Sequence, residues 1–148
     1  MWNENKSLVL SKACVCLFAA LLLALDIGGY PFARLFVSLR GMPEDRVALF
    51  AATIYTVSVP AWITLFSLWL LLRAIGGDDV FSAGNVRRLR GISWCCLSVG
   101  VVCALSAAYY LPFLIAAAAA VFMALIVRIV KNCFEQAARM RDELDYTV

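Results

Sequence analysis

The chain has 148 residues, of which 64% are hydrophobic and 16% are charged, and its formal net charge at pH 7 is +3. Soluble domains carry about 45–50% apolar residues, so this chain has more apolar surface than one small water-facing core could bury, and lipid must cover the excess. Histidine is absent, which excludes imidazole as a general base, metal ligand or haem ligand and argues against several membrane-enzyme and cytochrome functions.

Four stretches reach or approach the length of about 20 apolar residues that a membrane-spanning helix needs. We predict these spans at residues 8–28, 48–72, 92–110 and 112–130. The sequence therefore predicts an all-α fold: one integral membrane domain over residues 1–148, built as a four-helix bundle.

Lysine and arginine are unevenly distributed among the segments that join these spans. Ten lie in the N-terminal tail, the second connection and the C-terminal end: Lys6, Lys12, Arg73, Arg87, Arg88, Arg90, Arg128, Lys131, Arg139 and Arg141. The first connection holds the other three, Arg34, Arg40 and Arg46. Because short cytoplasmic loops carry the excess of positive charge, we expect both termini in the cytoplasm. The inner basic residues are also expected to meet anionic lipid headgroups.

Local signals predict where the helices begin and end. Gly28-Gly29 is expected to end the first helix, and Pro31 to begin a short helix that lies on the outer membrane surface. Gly76-Gly77-Asp78-Asp79 is expected to end the second helix, and Asn85 to cap the third. After the fourth span, residues 131–145 are predicted to form a cytoplasmic amphipathic helix, in which Glu135 and Arg139 have the spacing of an ion pair.

The second span carries a polar stripe. An α-helix turns by 100° per residue, so residues spaced three or four apart stay on one face of it. The members of the stripe have this spacing: Thr53, Thr56, Pro60, Thr64 and Ser67. One interpretation is a polar path or ligand site in a small oligomeric transporter or channel for a cation or small molecule. The other, which we favour, is helix packing through hydroxyl groups that are satisfied within the bundle.

Asp26 is the acidic residue that falls within a predicted span. An intramembrane carboxylate is costly and therefore marks a functional candidate, such as a cation-coupling site. Asp26 lies about 27 Å along the first span, close to its outer end. We therefore favour an interfacial carboxylate that reaches water or pairs with Arg34.

Small side chains recur at intervals of four along the third and fourth spans, which predicts a close-packing surface rather than a pocket. They are Cys96, Gly100, Ala104, Ala108, Ala116, Ala120 and Ala124. The six cysteines include no CxxC pair. Five of them fall near the inner face, but we expect small buried thiols there, with no disulfide, metal or cofactor.

Two segments on the expected cytoplasmic side carry a family resemblance. The first is FSAGNVRRLRGISWCC at residues 81–96; the second is VKNCFEQA at residues 130–137, with a terminal DYTV at residues 145–148. Together with the four spans, they resemble the bacterial YoaS-like family, catalogued as a domain of unknown function. The resemblance implies that the protein is located in a bacterial cytoplasmic (inner) membrane. Because its genes often lie beside a gene for a small helix-turn-helix regulator, it also implies, by analogy, a cytosolic regulator as partner.

These observations predict a regulatory or sensory membrane protein that acts through its cytoplasmic face. The partner-binding candidates are Phe81, Asn85, Arg87, Arg88, Arg90, Asn132, Phe134, Glu135 and Gln136. Their purely structural role would be to dock the inner loop against the C-terminal helix. We expect no direct nucleic-acid binding. We also expect no enzymatic activity, because the sequence has no phosphate loop, no nucleophile elbow and no carboxylates paired with helix spacing at membrane depth. The transport alternative would require a homo-oligomer.

Overall fold

The computed structural model describes residues 4–77 and 80–147. It contains four helices: α1 (Glu4–Leu39), α2 (Asp45–Ile75), α3 (Ala83–Ser106) and α4 (Phe113–Tyr146). All four are long and apolar enough to cross a membrane. The predicted all-α fold with four spans is therefore confirmed. Asp78 and Asp79 of the second connection, and Val148 of the terminal DYTV segment, lie outside the described residues.

The first helix does not end where the sequence predicted. α1 continues through Gly28, Gly29 and Pro31 to Leu39, so the predicted break and the separate short outer helix are wrong. Gly29 is buried, and a Cβ atom added there would lie 3.3 Å from the Ile54 side chain of α2. The glycine therefore serves close packing of α1 on α2 rather than a turn.

The turn into α2 falls instead at Gly41, whose φ of +61° lies in the left-handed region that favours glycine. The amide of Gly41 donates to the carbonyl of Ser38, and the amide of Met42 to the carbonyl of Val37. These bonds satisfy carbonyls that the end of α1 would otherwise leave free.

The fourth helix is also longer than predicted. α4 is one helix of 34 residues, from Phe113 to Tyr146. Residues 131–145 are helical as expected, but they are the last turns of α4 and not a separate helix. At 1.5 Å per residue α4 is about 51 Å long, well beyond the hydrocarbon core of about 30 Å. The same rod therefore continues from the membrane into water.

Each helix packs on the next one along the chain. α1 contacts α2, α2 contacts α3 and α3 contacts α4, whereas α1 and α4 do not meet anywhere in the described ranges. The bundle is therefore open between its first and last helices. Most of the apolar side chains face outward, where lipid can cover them.

One end of the bundle is held by a ring cluster, and we call it the aromatic end. The Phe50 ring lies at its centre, and the centroids of four other rings lie 5.1–5.6 Å from it: those of Phe36, Tyr109, Tyr110 and Phe113. These rings come from α1, α2, the turn between α3 and α4, and α4. We call the opposite end, with residues 80–90 and 128–146, the basic end.

The α3–α4 pair is packed through small residues, as predicted, although with a shifted register. Gly100, Ala117 and Ala124 are buried, whereas Ala104 and Ala116 are exposed. A Cβ atom added to Gly100 would lie only 2.9 Å from the Val121 side chain and 3.5 Å from the Ala117 carbonyl oxygen. At Gly100, α3 therefore lies so close to α4 that there is no room for a side chain.

We predict that Gly100→Leu destabilises the protein by about 1–3 kcal/mol, because the larger side chain forces α3 and α4 apart. Gly91→Leu, on the same helix, is the matched control, since a Cβ atom at Gly91 meets nothing within 4 Å. It should leave stability unchanged or raise it by up to about 1 kcal/mol through helix propensity. Unfolding in detergent, followed by circular dichroism, measures both. Equal destabilisation of the two variants would contradict the packing assigned to Gly100.

Candidate functional site

The polar stripe of α2 does not form one continuous path. Thr53 is buried, and its hydroxyl oxygen lies 2.9 Å from the Ser106 hydroxyl of α3 and 2.6 Å from the Tyr109 hydroxyl. Thr56 is exposed and donates to the Ala52 carbonyl of its own helix at 2.7 Å. The stripe thus begins as a contact between α2 and α3 and continues onto the outer surface.

The remaining members of the stripe are half-buried: Pro60, Thr64 and Ser67. The Thr64 hydroxyl donates to the carbonyl of Pro60 at 2.8 Å. Such a bond within the helix satisfies the hydroxyl without a partner helix or a ligand. The geometry of the stripe therefore favours helix packing over a polar path.

Asp26 lies against a different face of α2. Its carboxylate accepts hydrogen bonds from the Ser58 hydroxyl at 2.5 Å and from the Trp62 indole nitrogen at 2.7 Å. Five residues separate Ser58 from Thr53, which places the two side chains about 140° apart around the helix. Arg34 forms no ion pair with Asp26. Asp26 is therefore a polar link between α1 and α2 that lies apart from the stripe.

Sequence reasoning missed Ser58 and Trp62 as the partners of Asp26. A signal was present, because Asp26 and Ser58 lie sixteen residues before and after Met42, at equal depth in an antiparallel hairpin. Ser58 and Trp62 are also four apart, so they share one face of α2. Comparing depths within the α1–α2 hairpin does not identify the partners of Thr53, since these belong to α3 and the turn after it.

The loop before α3 is organised by Asn85, which is completely buried. Its amide nitrogen donates to the Val80 carbonyl at 3.0 Å, and its amide oxygen accepts from Arg88 at 2.8 Å. The N-cap position is held by Ser82, so the prediction that Asn85 caps α3 is wrong. Asn85 lies within the first turn, where its side chain satisfies the loop carbonyl rather than a free helix amide.

This loop is docked on α4. The rings of Phe81 and Phe134 pack with their centroids 5.4 Å apart. The next residue of α4, Glu135, lies 3.3 Å from Lys131 and 3.6 Å from Arg139, which confirms the predicted Glu135–Arg139 pair. The structure thus brings the loop and the final turns of α4 together, as the structural role of these residues requires.

The other partner-binding candidates surround this contact. Arg87, Arg90, Asn132 and Gln136 are exposed at the basic end, and Arg88 is half-buried beside Asn85. We call the surface formed by residues 80–90 and 131–139 the loop–tail surface. It presents charged and amide side chains to solvent around a buried asparagine and a ring pair.

The cysteines do not converge. Cys14 and Cys16 lie on α1, and α2 is the only other described helix on which α1 packs, so these two thiols lie apart from Cys95 on α3 and Cys133 on α4. Cys103 is the buried thiol, whereas Cys14, Cys16 and Cys133 are exposed. Residues 4–77 and 80–147 contain no group of three or more acidic or cysteine side chains that could hold a metal ion. The predicted burial of the inner cysteines is therefore wrong for three of them.

A family model described as a protein of unknown function (DUF2975) matches residues 30–148. The chain belongs to the DUF2975 family. The match includes both segments that carry the sequence resemblance, and it confirms a family of unknown function, although not the YoaS-like name. No curated protein and no solved structure matches the chain.

In this DUF2975 chain, we predict that Thr53→Val lowers the free energy of unfolding by about 1–3 kcal/mol, because it removes a hydrogen-bond partner of the buried Ser106 hydroxyl on α3 and of the Tyr109 hydroxyl in the turn after it. Thr56→Val removes the same hydroxyl three residues away, where only a carbonyl of its own helix is lost. We expect its effect to stay below about 0.5 kcal/mol. Unfolding in detergent measures both, and a larger loss for Thr56→Val would contradict the packing role of Thr53.

Proposed function

We propose that this DUF2975 protein is a regulatory or sensory protein of a bacterial inner membrane, with both termini in the cytoplasm. The location and orientation are supported by the distribution of Lys and Arg, which gather at the basic end and on the N-terminal tail. The basic end would then face the cytoplasm, where the loop–tail surface is accessible to soluble proteins.

The observation that carries this proposal is the contact of Phe81 with Phe134 on a helix that also spans the membrane. Because α4 is one rod, a tilt or shift of its membrane part moves Phe134 and the loop that is packed on it. Apart from Phe113 at its first residue, which packs on Phe50 of α2, α4 contacts α3 among the described helices. Few helix contacts therefore oppose such a shift at the basic end. The surface is thus mechanically joined to the lipid-embedded helices.

The chemistry of the loop–tail surface fits protein recognition. Arg87 is exposed and forms no ion pair with a described residue, so its charge is available to a partner. Asn132 and Gln136 are four apart on α4 and offer amide donors and acceptors on one face. The partner that we propose is a cytosolic helix-turn-helix regulator with an acidic contact surface.

A small oligomeric transporter or channel is the alternative, and the geometry gives it less support. Transport would require polar groups along one route through the bilayer. Asp26 instead lies between α1 and α2, and Thr53 lies between α2 and α3. The exposed Thr56 could reach such a route only in a homo-oligomer.

The orientation can be tested with single cysteines at the two ends. Ser38 and Gln136 are both exposed, and the Ser38→Cys and Gln136→Cys variants are made in a background in which all six native cysteines are serine. We predict that a membrane-impermeant maleimide labels the Ser38→Cys variant in intact spheroplasts and labels the Gln136→Cys variant only after permeabilisation. The reverse pattern would place the loop–tail surface outside the cell.

Partner binding can be tested with a purified cytosolic helix-turn-helix regulator from the same bacterium as the membrane protein. We predict that Arg87→Glu weakens its binding to the detergent-solubilised protein at least about tenfold, because a rim charge is reversed against an acidic partner. Biolayer interferometry at two salt concentrations measures the affinity and its electrostatic part.

The matched control is Arg34→Glu, which reverses an exposed charge at the aromatic end. It should leave the affinity unchanged within a factor of two. Equal affinity of the Arg87→Glu variant and the native protein, or no binding by the native protein, would refute the proposed partner surface.

A further inference from the structure

A cleft lies between α3 and α4 at the basic end, on a face of the helix pair where the apolar side chains are exposed. Its volume is about 360 Å³, and both helices line it. Arg90, Arg128 and Lys131 form its rim, and Trp94, Leu97 and Leu125 lie below them. The cleft therefore combines three cationic side chains with an apolar wall.

The two arginines at the rim have no ion-pair partner among the described residues, whereas the lysine has one. Arg90 and Arg128 are exposed, and neither forms an ion pair with a described residue. Lys131, whose side chain is only 12% exposed, pairs with Glu135 at 3.3 Å. Three like charges around one opening repel each other, and a bound anion relieves that repulsion. Guanidinium groups bind phosphate oxygens in a bidentate manner.

The cleft continues as an apolar groove that runs along α3 and α4, away from the basic end. This second groove has a volume of about 520 Å³ and shares Val121 and Leu125 with the cleft. Small residues, including Gly100 and Ala118, leave the space for it. Arg128 and Ala118 are ten residues apart on α4, about 15 Å along the helix, which is half of a hydrocarbon core of about 30 Å. The groove therefore has the length of an acyl chain in one leaflet.

We propose that this groove is a binding site for an anionic phospholipid. The phosphate lies between Arg90 and Arg128 near Lys131, and one acyl chain follows the α3–α4 groove past Leu125 and Val121. Trp94 is 65% exposed beside the rim, in the position that tryptophan favours at a membrane interface. A soluble phosphate would use the rim alone, whereas a lipid uses both the rim and the apolar floor.

The rim can be tested by native mass spectrometry of the detergent-solubilised protein titrated with phosphatidylglycerol or phosphatidylcholine. We predict that the native protein prefers phosphatidylglycerol and that Arg90→Ala with Arg128→Ala weakens this binding about 30-fold. Arg87→Ala with Arg141→Ala is the matched control, because it also removes one exposed arginine from α3 and one from α4, outside the cleft. It should change the affinity less than threefold. Equal losses in the two double variants would show diffuse surface attraction and overturn the site.

The acyl groove is tested separately, with the rim left intact. Ala118→Trp fills the groove, whereas Ala119→Trp adds the same side chain at an exposed neighbouring position that does not line it. We expect at least about tenfold weaker phosphatidylglycerol binding for Ala118→Trp alone, with unchanged helicity by circular dichroism. Millimolar glycerol 3-phosphate should not displace the lipid. Displacement by this soluble anion, or equal binding by the two tryptophan variants, would overturn the proposal.

Discussion

The absence of water in the bilayer core governs this structure, because every polar group placed there must find a partner within the protein. The four helices satisfy their own backbones, and the few polar side chains are satisfied locally or between neighbouring helices. Asp26 accepts bonds from α2, and the Ser93 hydroxyl donates to the Ala124 carbonyl at 3.0 Å. Among the described residues, no buried side-chain nitrogen or oxygen lacks a hydrogen-bond partner. Polar side chains thus link the helices in chain order and define the open arrangement.

The two ends of the bundle use arginine differently. At the aromatic end, Arg46 donates to the Tyr109 carbonyl, and Arg40 lies over the rings of Phe36 and Tyr110 at 5.6 and 5.9 Å from their centroids. These arginines support packing, which also explains why that end forms a defined core. At the basic end, Arg87, Arg90 and Arg128 form no ion pair with any residue in the described ranges 4–77 and 80–147. Charge that is available for binding is therefore concentrated at one end, and both proposals of function concern that end.

Hydropathy was sufficient to predict the number of spans and the all-α fold, because burial in lipid imposes a strong and local constraint on sequence. Local signals failed where they competed with that constraint. Gly28, Gly29 and Pro31 would end a helix in water, but a break in lipid would leave amides and carbonyls without partners, so α1 continues. The partners of Thr53 could not be predicted, since they depend on how α3 rotates against α2. The Phe81–Phe134 docking was anticipated because both residues lie in recognisable segments next to the same membrane face.

The two proposals meet at Lys131 and Glu135. Lys131 belongs to the lipid cleft and also pairs with Glu135, which in turn contacts Arg139 on the loop–tail surface. A lipid phosphate at the cleft competes with Glu135 for Lys131, so occupancy of the cleft changes the charge that the tail presents. A ligand shifts an equilibrium only by its difference in affinity for the two states, and each factor of ten in that difference is worth about 1.4 kcal/mol. One charge-assisted contact contributes a free energy of about that size. Replacement of Glu135 by a lipid phosphate as the partner of Lys131 is therefore large enough to let anionic lipid bias binding at the loop–tail surface.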